Sequence, residues 1–272
     1  MKEFIVEKDD NLKNFTDNTY AQGSFWLRTM LKNKDVRVNG ERVNSNVPLK
    51  KGDVVRYYLS LEKENTPAFY PVYEDENVFI LDKESGVNAE AVYSALKGFG
   101  MRFVHRLDRN TKGLMVFAKN EEIEAELLEL FKTHKVKKTY HALAIGQLKR
   151  KQAILTAYLK KDAKASLVQI FDSPQEGSEK IITEYTVLEE KGEQVRLEIL
   201  LHTGKTHQIR AHLSHIGAPI LGDEKYGNTL KNKGYGCNRQ LLVSKKLQIT
   251  GGRRLAYLSD KEFLSRFDVN FF

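Results

Sequence analysis

The sequence predicts an α+β protein in which a mixed, mostly antiparallel sheet with flanking helices is preceded by a small α+β unit. Three observations carry this expectation. Apolar runs of strand length, joined by short turns, dominate the chain from about residue 72 onward. A few segments with helical spacing interrupt them. A polar, aperiodic stretch, EKENTPAF at 62–69, separates this region from a shorter one before it. With 272 residues, 41% hydrophobic and 29% charged, the chain can bury a core with room for one large domain and one small one.

The small unit occupies residues 1–62. From Ser24 to Lys34, Trp26, Leu27, Met30 and Leu31 recur at spacings of three and four, which predicts a helix with one buried face. VRVNGERV then reads as a hairpin, because Asn39 and Gly40 tolerate the positive φ angles of a tight turn. LKKGDVVRYYL adds a turn at Gly52 and another strand. Lys32, Lys34, Arg37 and Arg42 cluster where the helix ends and the hairpin begins. This helix, NG hairpin and GDVV strand resemble the S4-like RNA-binding domain, and a generic small α+β module fits the same pattern. A linker is expected over residues 63–70, with Pro67 inside it, and a larger domain over 71–272.

In the larger domain NVFILD reads as a strand that ends in a turn at Gly86, followed by a short helix from about Glu90 to Lys97. A polar loop, His105 to Lys112, precedes the apolar run LMVFA, which suits a buried strand. Asn120 caps the amphipathic helix EEIEAELLELFK, and Glu121 and Glu122 favour its first turn. KTYHALAIG, SLVQIFD, KIITEYTVLEE and EQVRLEILL follow as strands, the last two joined by a hairpin across Lys191 and Gly192. A helix begins near Gln208, with Ile209, Leu213 and Ile216 on its apolar face, and Gly217 ends it.

Charge narrows the partner. Lys and Arg number 44 against 36 acids, a net charge of +8, which favours a polyanion. Phe131 to Lys164 holds ten Lys/Arg and one acid, Asp162; Lys225 to Arg254 holds eight and none. Tyr140, Tyr158, Tyr226 and Tyr235 are interleaved with these charges. A phosphate-binding surface and a merely solvated basic face both fit. Cys237 is the single cysteine, which excludes intramolecular disulfides and multi-thiolate zinc sites. No apolar stretch approaches a membrane span and no apolar leader opens the chain, so the expected location is the cytoplasm.

Two segments carry possible chemistry. Asp108 stands among His105, Arg106, Arg109 and Lys112, and these cations favour an ionised carboxylate able to act as nucleophile or base. An ordinary loop salt bridge explains the same segment. Downstream, Thr203, Gly204, Thr206, His207, Gln208 and Arg210 gather at a helix start, and His207 and Arg210, three apart, share a side. An amphipathic helix with a solvated polar face is the alternative. His202, His207, His212 and His215 raise a metal reading, but there is no HExxH, no carboxylate trio and no second cysteine. TGKT mimics the end of a nucleotide-binding phosphate loop, yet Ile199 stands where its first glycine belongs.

HRLDRNTKGLMVFAKN, KKTYHALAIG and TGKTHQIRAHLSHIGAPILGDEKYG resemble, in order and spacing, the successive motifs of the RluA-type pseudouridine synthases, over about residues 71–250. The resemblance implies the pseudouridine synthase fold and isomerisation of a uridine in structured RNA, ribosomal or transfer. Asp108 would be the catalytic carboxylate and Arg106 the residue that enters the RNA stack as the base flips out. Tyr140 would stack on the uracil and assist proton transfer, and Arg210 would pair with Asp108. His105, Arg109, Lys112, Lys205, Thr206, His207 and Gln208 would contact RNA beside the site, and Lys32, Lys34, Arg37 and Arg42 would do so from the S4-like unit. No cofactor, metal, DNA or membrane partner is implied, and a monomer is expected. The chain departs from the family pattern at Lys83-Glu84, where Lys-Pro is usual, and at Asn88-Ala89, which lack a usual histidine. It also departs at Lys112, Lys205 and the RQLLVSKKL segment. Two rival functions stand beside this one: a non-catalytic RNA-binding or ribosome-assembly protein of the same fold, and a metal-dependent RNA hydrolase built on the histidines.

Overall fold

A computed structural model describes residues 1–162 and 167–272. Lys164, which closes the first basic tract, and Ser166, which opens SLVQIFD, lie outside the described residues. The N-terminal unit contains β1 (Lys2–Ile5), β2 (Asp10–Asn11), α1 (Leu12–Thr19), α2 (Ala21–Asn33), β3 (Val36–Val38), β4 (Glu41–Val43), β5 (Pro48–Leu49) and β6 (Val54–Tyr57). Four of these strands form an antiparallel sheet in the order β1-β6-β3-β4, and β2 pairs with β5. The Asn11 side chain caps α1 by accepting from Asn14 N at 3.0 Å. In the β3–β4 hairpin Asn39 and Gly40 adopt φ of 50° and 89°, as the NG pair requires. The buried face of α2 carries Phe25, Trp26, Leu27 and Met30.

The stretch expected to be a linker is packed against the N-terminal unit. It contains α3 (Leu61–Asn65), capped by Ser60, and runs directly into β7 (Phe69–Glu74). Gln22 Nε2 donates to the carbonyl of Thr66 at 3.0 Å, and the Tyr20 hydroxyl donates to Glu64. Phe25 meets Phe69 edge to face at 6.4 Å. Polarity and Pro67 did rule out one long element here. They could not reveal that Tyr20 and Gln22, more than forty residues upstream, hold the segment down.

The larger sheet is assembled from β7, β8 (Val78–Lys83), β9 (Arg102–Phe103), β10 (Lys112–Ala118), β11 (Val136–Ile145), β12 (Gln152–Asp162), β13 (Leu167–Phe171), β14 (Glu179–Lys191), β15 (Gln194–Leu201), β16 (Leu242–Ile249) and β17 (Glu262–Leu264). Its main path runs β13-β12-β14-β15-β11-β16-β10-β8-β7, with β9 on β10 and β17 on β16. Among the described residues β10 and β16 form the one parallel pair; the other pairings are antiparallel, as predicted. Beside the sheet lie α4 (Ala89–Leu96), α5 (Glu121–Lys132), α6 (Gln208–His215) and α7 (Thr229–Gly234). α5 is capped by Asn120, which accepts from Ile123 N at 2.9 Å.

Of the four apolar clusters among the described residues, the two largest lie on opposite faces of this sheet. One joins Leu81, Phe117, Tyr140, Leu197 and Leu213 to Trp26, Met30 and Tyr57 of the N-terminal unit. The other packs Ile123, Leu127 and Leu130 of α5 on Ile80, Val116 and Leu247. The alternation of β8 and β10 explains this division, since successive residues of a strand face opposite sides. The joined core also gives the N-terminal unit an apolar contact with the sheet, which raises its cost of separation.

Candidate active site

Asp108 lies on the loop between β9 and β10, and the loop is fixed at nearly every residue. His105 accepts from Val116 N through Nε2 at 3.1 Å; Leu107 is buried; Thr111 N bonds back to Asp108 O at 3.0 Å. Gln240 Nε2 donates to Thr111 Oγ1 at 2.7 Å, and Ser85 Oγ donates to Asn110 O at 3.1 Å. Gly113 opens β10 at φ 110°, and a Cβ there would lie 2.3 Å from the carbonyl oxygen of Ser244. Only glycine lets β10 approach β16 this closely.

A fully buried lysine supports the loop from below. Lys83 Nζ lies within hydrogen-bond distance of three carbonyls, Glu84 O and Val87 O at 2.9 Å and Arg109 O at 3.1 Å; the ammonium can donate to all three and the neutral amine to two. Burial pulls the amine down to about 7, although the charges of Asp108 and Glu84 oppose the fall. The unfolded chain therefore holds a proton on Lys83 between about pH 7 and 10.5 that the folded chain has released. Over that window this group makes stability rise with pH. Lys83→Met removes the effect, so wild type should gain on the variant in urea-unfolding free energy from pH 7 to pH 10. A constant difference across that range would remove Lys83 from the account.

Arg210, on the first turn of α6, joins the two halves of the site. Its Nη1 donates to Asp108 Oδ2 at 2.8 Å, while Nε and Nη2 form a forked pair with Asp223 at 2.6 and 2.8 Å. Burial works against charge on both partners. The bonds to Asp223 and Asp108 nevertheless raise Arg210 above the usual arginine range. Those to Arg210 and to the backbone N–H groups of Lys225 and Tyr226 hold Asp223 below the usual carboxylate range. The chain Asp108–Arg210–Asp223 thus reaches the Asp108 loop from the GDEKYG segment. Asp223 and Tyr226 stand in that motif without a role that the sequence assigns; the need of a buried guanidinium for a buried carboxylate was the available signal.

His207 caps α6 with a left-handed backbone, φ 55°. Its Nδ1 lies 2.9 Å from the Tyr226 hydroxyl, which itself accepts from Val168 N at 2.8 Å. The hydroxyl proton is then free for Nδ1, and Nε2–H faces Asp108 Oδ2 at 3.9 Å. Burial first, then the Arg210 and Lys225 charges, lower the His207 pKa against the pull of Asp108.

Tyr140, on β11, is buried beside the same cavity; burial raises its hydroxyl pKa and a bond with Ser244 opposes the rise. The cavity measures about 410 Å³ and is lined by Asp108, Tyr140, Arg210, His207, Arg106 and Lys138 among others. That volume suits one nucleobase with part of its sugar. Lys138 Nζ stands over the Phe131 ring, 5.3 Å from its centre, and both line the cavity.

Several residues expected to meet RNA also have partners within the protein, and of these His105, Lys205, His207 and Gln208 line the cavity. His105 is an acceptor for the backbone of β10, and burial keeps it neutral, down to about 3. Gln208 is 2% exposed and ties Thr203 and Lys205 N to Ile182 and Thr183. Lys112 pairs with Glu84 at 3.1 Å and stands over the Phe267 ring; Lys205 pairs with Glu179. Arg106 is exposed at the cavity rim, 2.7 Å from Glu90, while Thr206 is exposed outside it. Arg109 points away from the cavity, and Lys34, Arg37 and Arg42 lie on the N-terminal unit. α6 has no solvated polar face, because Gln208 to Leu213 are all buried. The four histidines diverge: His202 faces Glu184, His212 faces Thr183 and His215 faces Asp172. The acid-free second basic tract meets acids in space, through Lys231–Glu193, Lys245–Asp268, Lys246–Glu262 and Arg254–Glu122.

A carboxylate with a fixed guanidinium, set against an aromatic wall in a base-sized cavity with cations at its rim, is the kind of site that fits an enzyme acting on an extruded nucleobase. Residues 32–215 match the sequence profile of the RNA pseudouridylate synthases, and the chain belongs to that family. It is an isomerase, an RNA pseudouridine synthase of the RluA type. An uncharacterised RNA pseudouridine synthase of Aquifex aeolicus is 33% identical over 83% of this chain and 79% of its own length. The Bacillus subtilis protein YhcT, also an uncharacterised RNA pseudouridine synthase, is 30% identical over 82% and 79%. Ribosomal large subunit pseudouridine synthase C of Vibrio cholerae is 31% identical over 73% and 70%. The structure of human RNA pseudouridylate synthase domain containing 1 shares the fold, with a TM-score of 0.60 and 23% identity over 74% of this chain and 83% of that one.

Proposed function

We propose that this chain converts a uridine of ribosomal RNA to pseudouridine, with Asp108 as the catalytic carboxylate. The observation that carries the reading is the buried chain Asp108–Arg210–Asp223 beneath a cavity walled by Tyr140. Uridine to pseudouridine breaks the bond from ribose C1′ to N1, turns the base and joins C1′ to C5. The proton lost from C5 is balanced by one gained at N1, so no oxidant or second substrate enters. In this reading Arg210 supplies the counter-charge that a carboxylate beside an apolar base requires, and Tyr140 stacks on the uracil. Arg106, at the rim, fills the place of the flipped base. Ribosomal RNA is favoured over transfer RNA because several relatives, those of Vibrio and Rickettsia, carry ribosomal large subunit names.

In the same reading residues 1–62 are an S4-like domain, 63–70 a connecting segment and 71–272 the catalytic domain, working as a monomer in the cytoplasm. The supporting features are the separate four-stranded sheet and the exposed Lys32, Lys34 and Arg42 at the end of α2 and on β4. Deleting residues 1–62 would strip the shared core, so charge reversal of those three residues is the better probe. The decisive measurement is a pseudouridine map of total RNA with and without the gene. Loss of one or a few ribosomal pseudouridines is expected. An unchanged map would end the reading, and loss confined to transfer RNA would overturn its substrate.

A further inference from the structure

On the other side of the Asp108 loop lies a second cleft, about 700 Å³, between α2 and the loops near residues 86, 109–110, 224 and 238–239. Trp26 forms a stretch of its wall, and Lys63 stands 5.4 Å over the Trp26 ring. The indole Nε1–H is buried and has no protein acceptor among the described residues. Arg28 and Lys32, four residues apart on one face of α2, look across at Arg109 and Arg239. Glu224 is the one acid among the described lining residues.

This concentration of charge is unfavourable in the protein alone. The arginine ion pairs among the described residues use Arg56, Arg102, Arg106, Arg196, Arg210 and Arg254, and leave Arg28, Arg109 and Arg239 out. Burial and the charges of Arg28 and Arg239 hold Arg109 below the usual arginine range, with Glu224 opposing. Like charges gathered in a concave site, with planar donors that match phosphate oxygens, are suited to a polyanion.

The loop itself connects the two cavities. His105 to Asp108 line the first, and Arg109 and Asn110 line the second. A nucleic-acid strand whose base enters beside Asp108 and that crosses this loop meets, at the next residue, a guanidinium on the far side. We propose that this cleft holds the phosphodiester backbone of the RNA strand flanking the target uridine, gripped jointly by Arg28 of the N-terminal unit and by Arg109 and Arg239 of the large domain. The inference rests on the pseudouridine synthase reading and extends it, because the N-terminal unit becomes a wall of the substrate channel rather than a remote tether. The joined core beneath it is what keeps the two walls in register.

Trp26 is the single tryptophan of the chain, so its fluorescence reports on the cleft. Full-length protein is titrated with a short single-stranded oligouridylate at several salt concentrations. Trp26 emission should change on binding in wild type and in Asp108→Asn alike, since this step precedes chemistry. Arg28→Ala combined with Arg239→Ala, both at exposed side chains, should weaken binding about tenfold. It should also lower the salt slope of log K by about 1.4, the loss of two single-strand phosphate contacts. Arg28→Lys with Arg239→Lys should retain most of both, which separates lost charge from damage to the fold. Unchanged affinity and slope in the alanine pair, with active wild type, would overturn the cleft alone. Equal occupation by a polyglutamate peptide would assign it to an acidic protein segment and also overturn the proposal. Failure of wild type to form pseudouridine in RNA from a strain lacking the gene would instead strike the underlying reading.

Discussion

Asp108→Asn should leave at most about a thousandth of the wild-type rate of pseudouridine formation, because a neutral amide can serve neither as nucleophile nor as base. Tritium release from C5-labelled uridine in RNA, under single turnover, is the measurement. The substitution keeps the side chain's size and leaves an oxygen to accept from Arg210 Nη1, now 2.8 Å from Asp108. The loop should hold its shape, since Lys83, Ser85 and Gln240 grip it through other atoms. RNA affinity should accordingly stay within a factor of about three, the change left when one charge is lost among many phosphate contacts. A variant that turns over at the normal rate would remove Asp108 from the chemistry, and one that loses rate only through weaker binding would make it a binding residue.

Arg210→Met should cost stability as well as activity. The guanidinium is shared by Asp108 and Asp223, and the Asp223 side chain is wholly buried. Removing it leaves a buried carboxylate that keeps, among the described residues, the hydrogen bonds from the Lys225 and Tyr226 N–H groups. Loss of one partner from such a pair costs about 3–5 kcal/mol. Adding Asp223→Leu should recover some of that loss, because the stranded charge goes with it, while activity stays absent. Urea unfolding and the tritium assay on the same preparations test both halves. A fully stable Arg210→Met protein would mean that Asp223 is compensated elsewhere, and an active one would remove the guanidinium from the mechanism.

The local rules were readable where neighbours in sequence are neighbours in space. The NG turn at Asn39-Gly40, the Asn120 cap of α5, the hairpin at Gly192 and the end of α6 at Gly217 each depend on one or two residues and their own backbone. The packing of the segment at 62–69 comes from Tyr20 and Gln22, which no local pattern reveals. The same limit affected the site. His105 and Gln208 are polar and stand in functional motifs, so a sequence reading sends them to the ligand. Both do line the cavity, but what positions them there, Val116 N for one and Ile182 and Thr183 for the other, comes from strands that no local pattern points to.

By itself the sequence determined the fold class, the family and three residues that meet at the cavity, Asp108, Tyr140 and Arg210, because motif chemistry and strand periodicity are written in residue types and short spacings. Only the tertiary structure decided what those residues lean on. Arg210 spans from a loop 102 positions earlier to Asp223 beyond its own helix. Lys83, an ordinary-looking end of a strand, is sealed beneath the Arg109 carbonyl. A buried charge is tolerated only where its partners are brought to it, and which partners arrive is set by the sheet order β11-β16-β10-β8, not by distance along the chain.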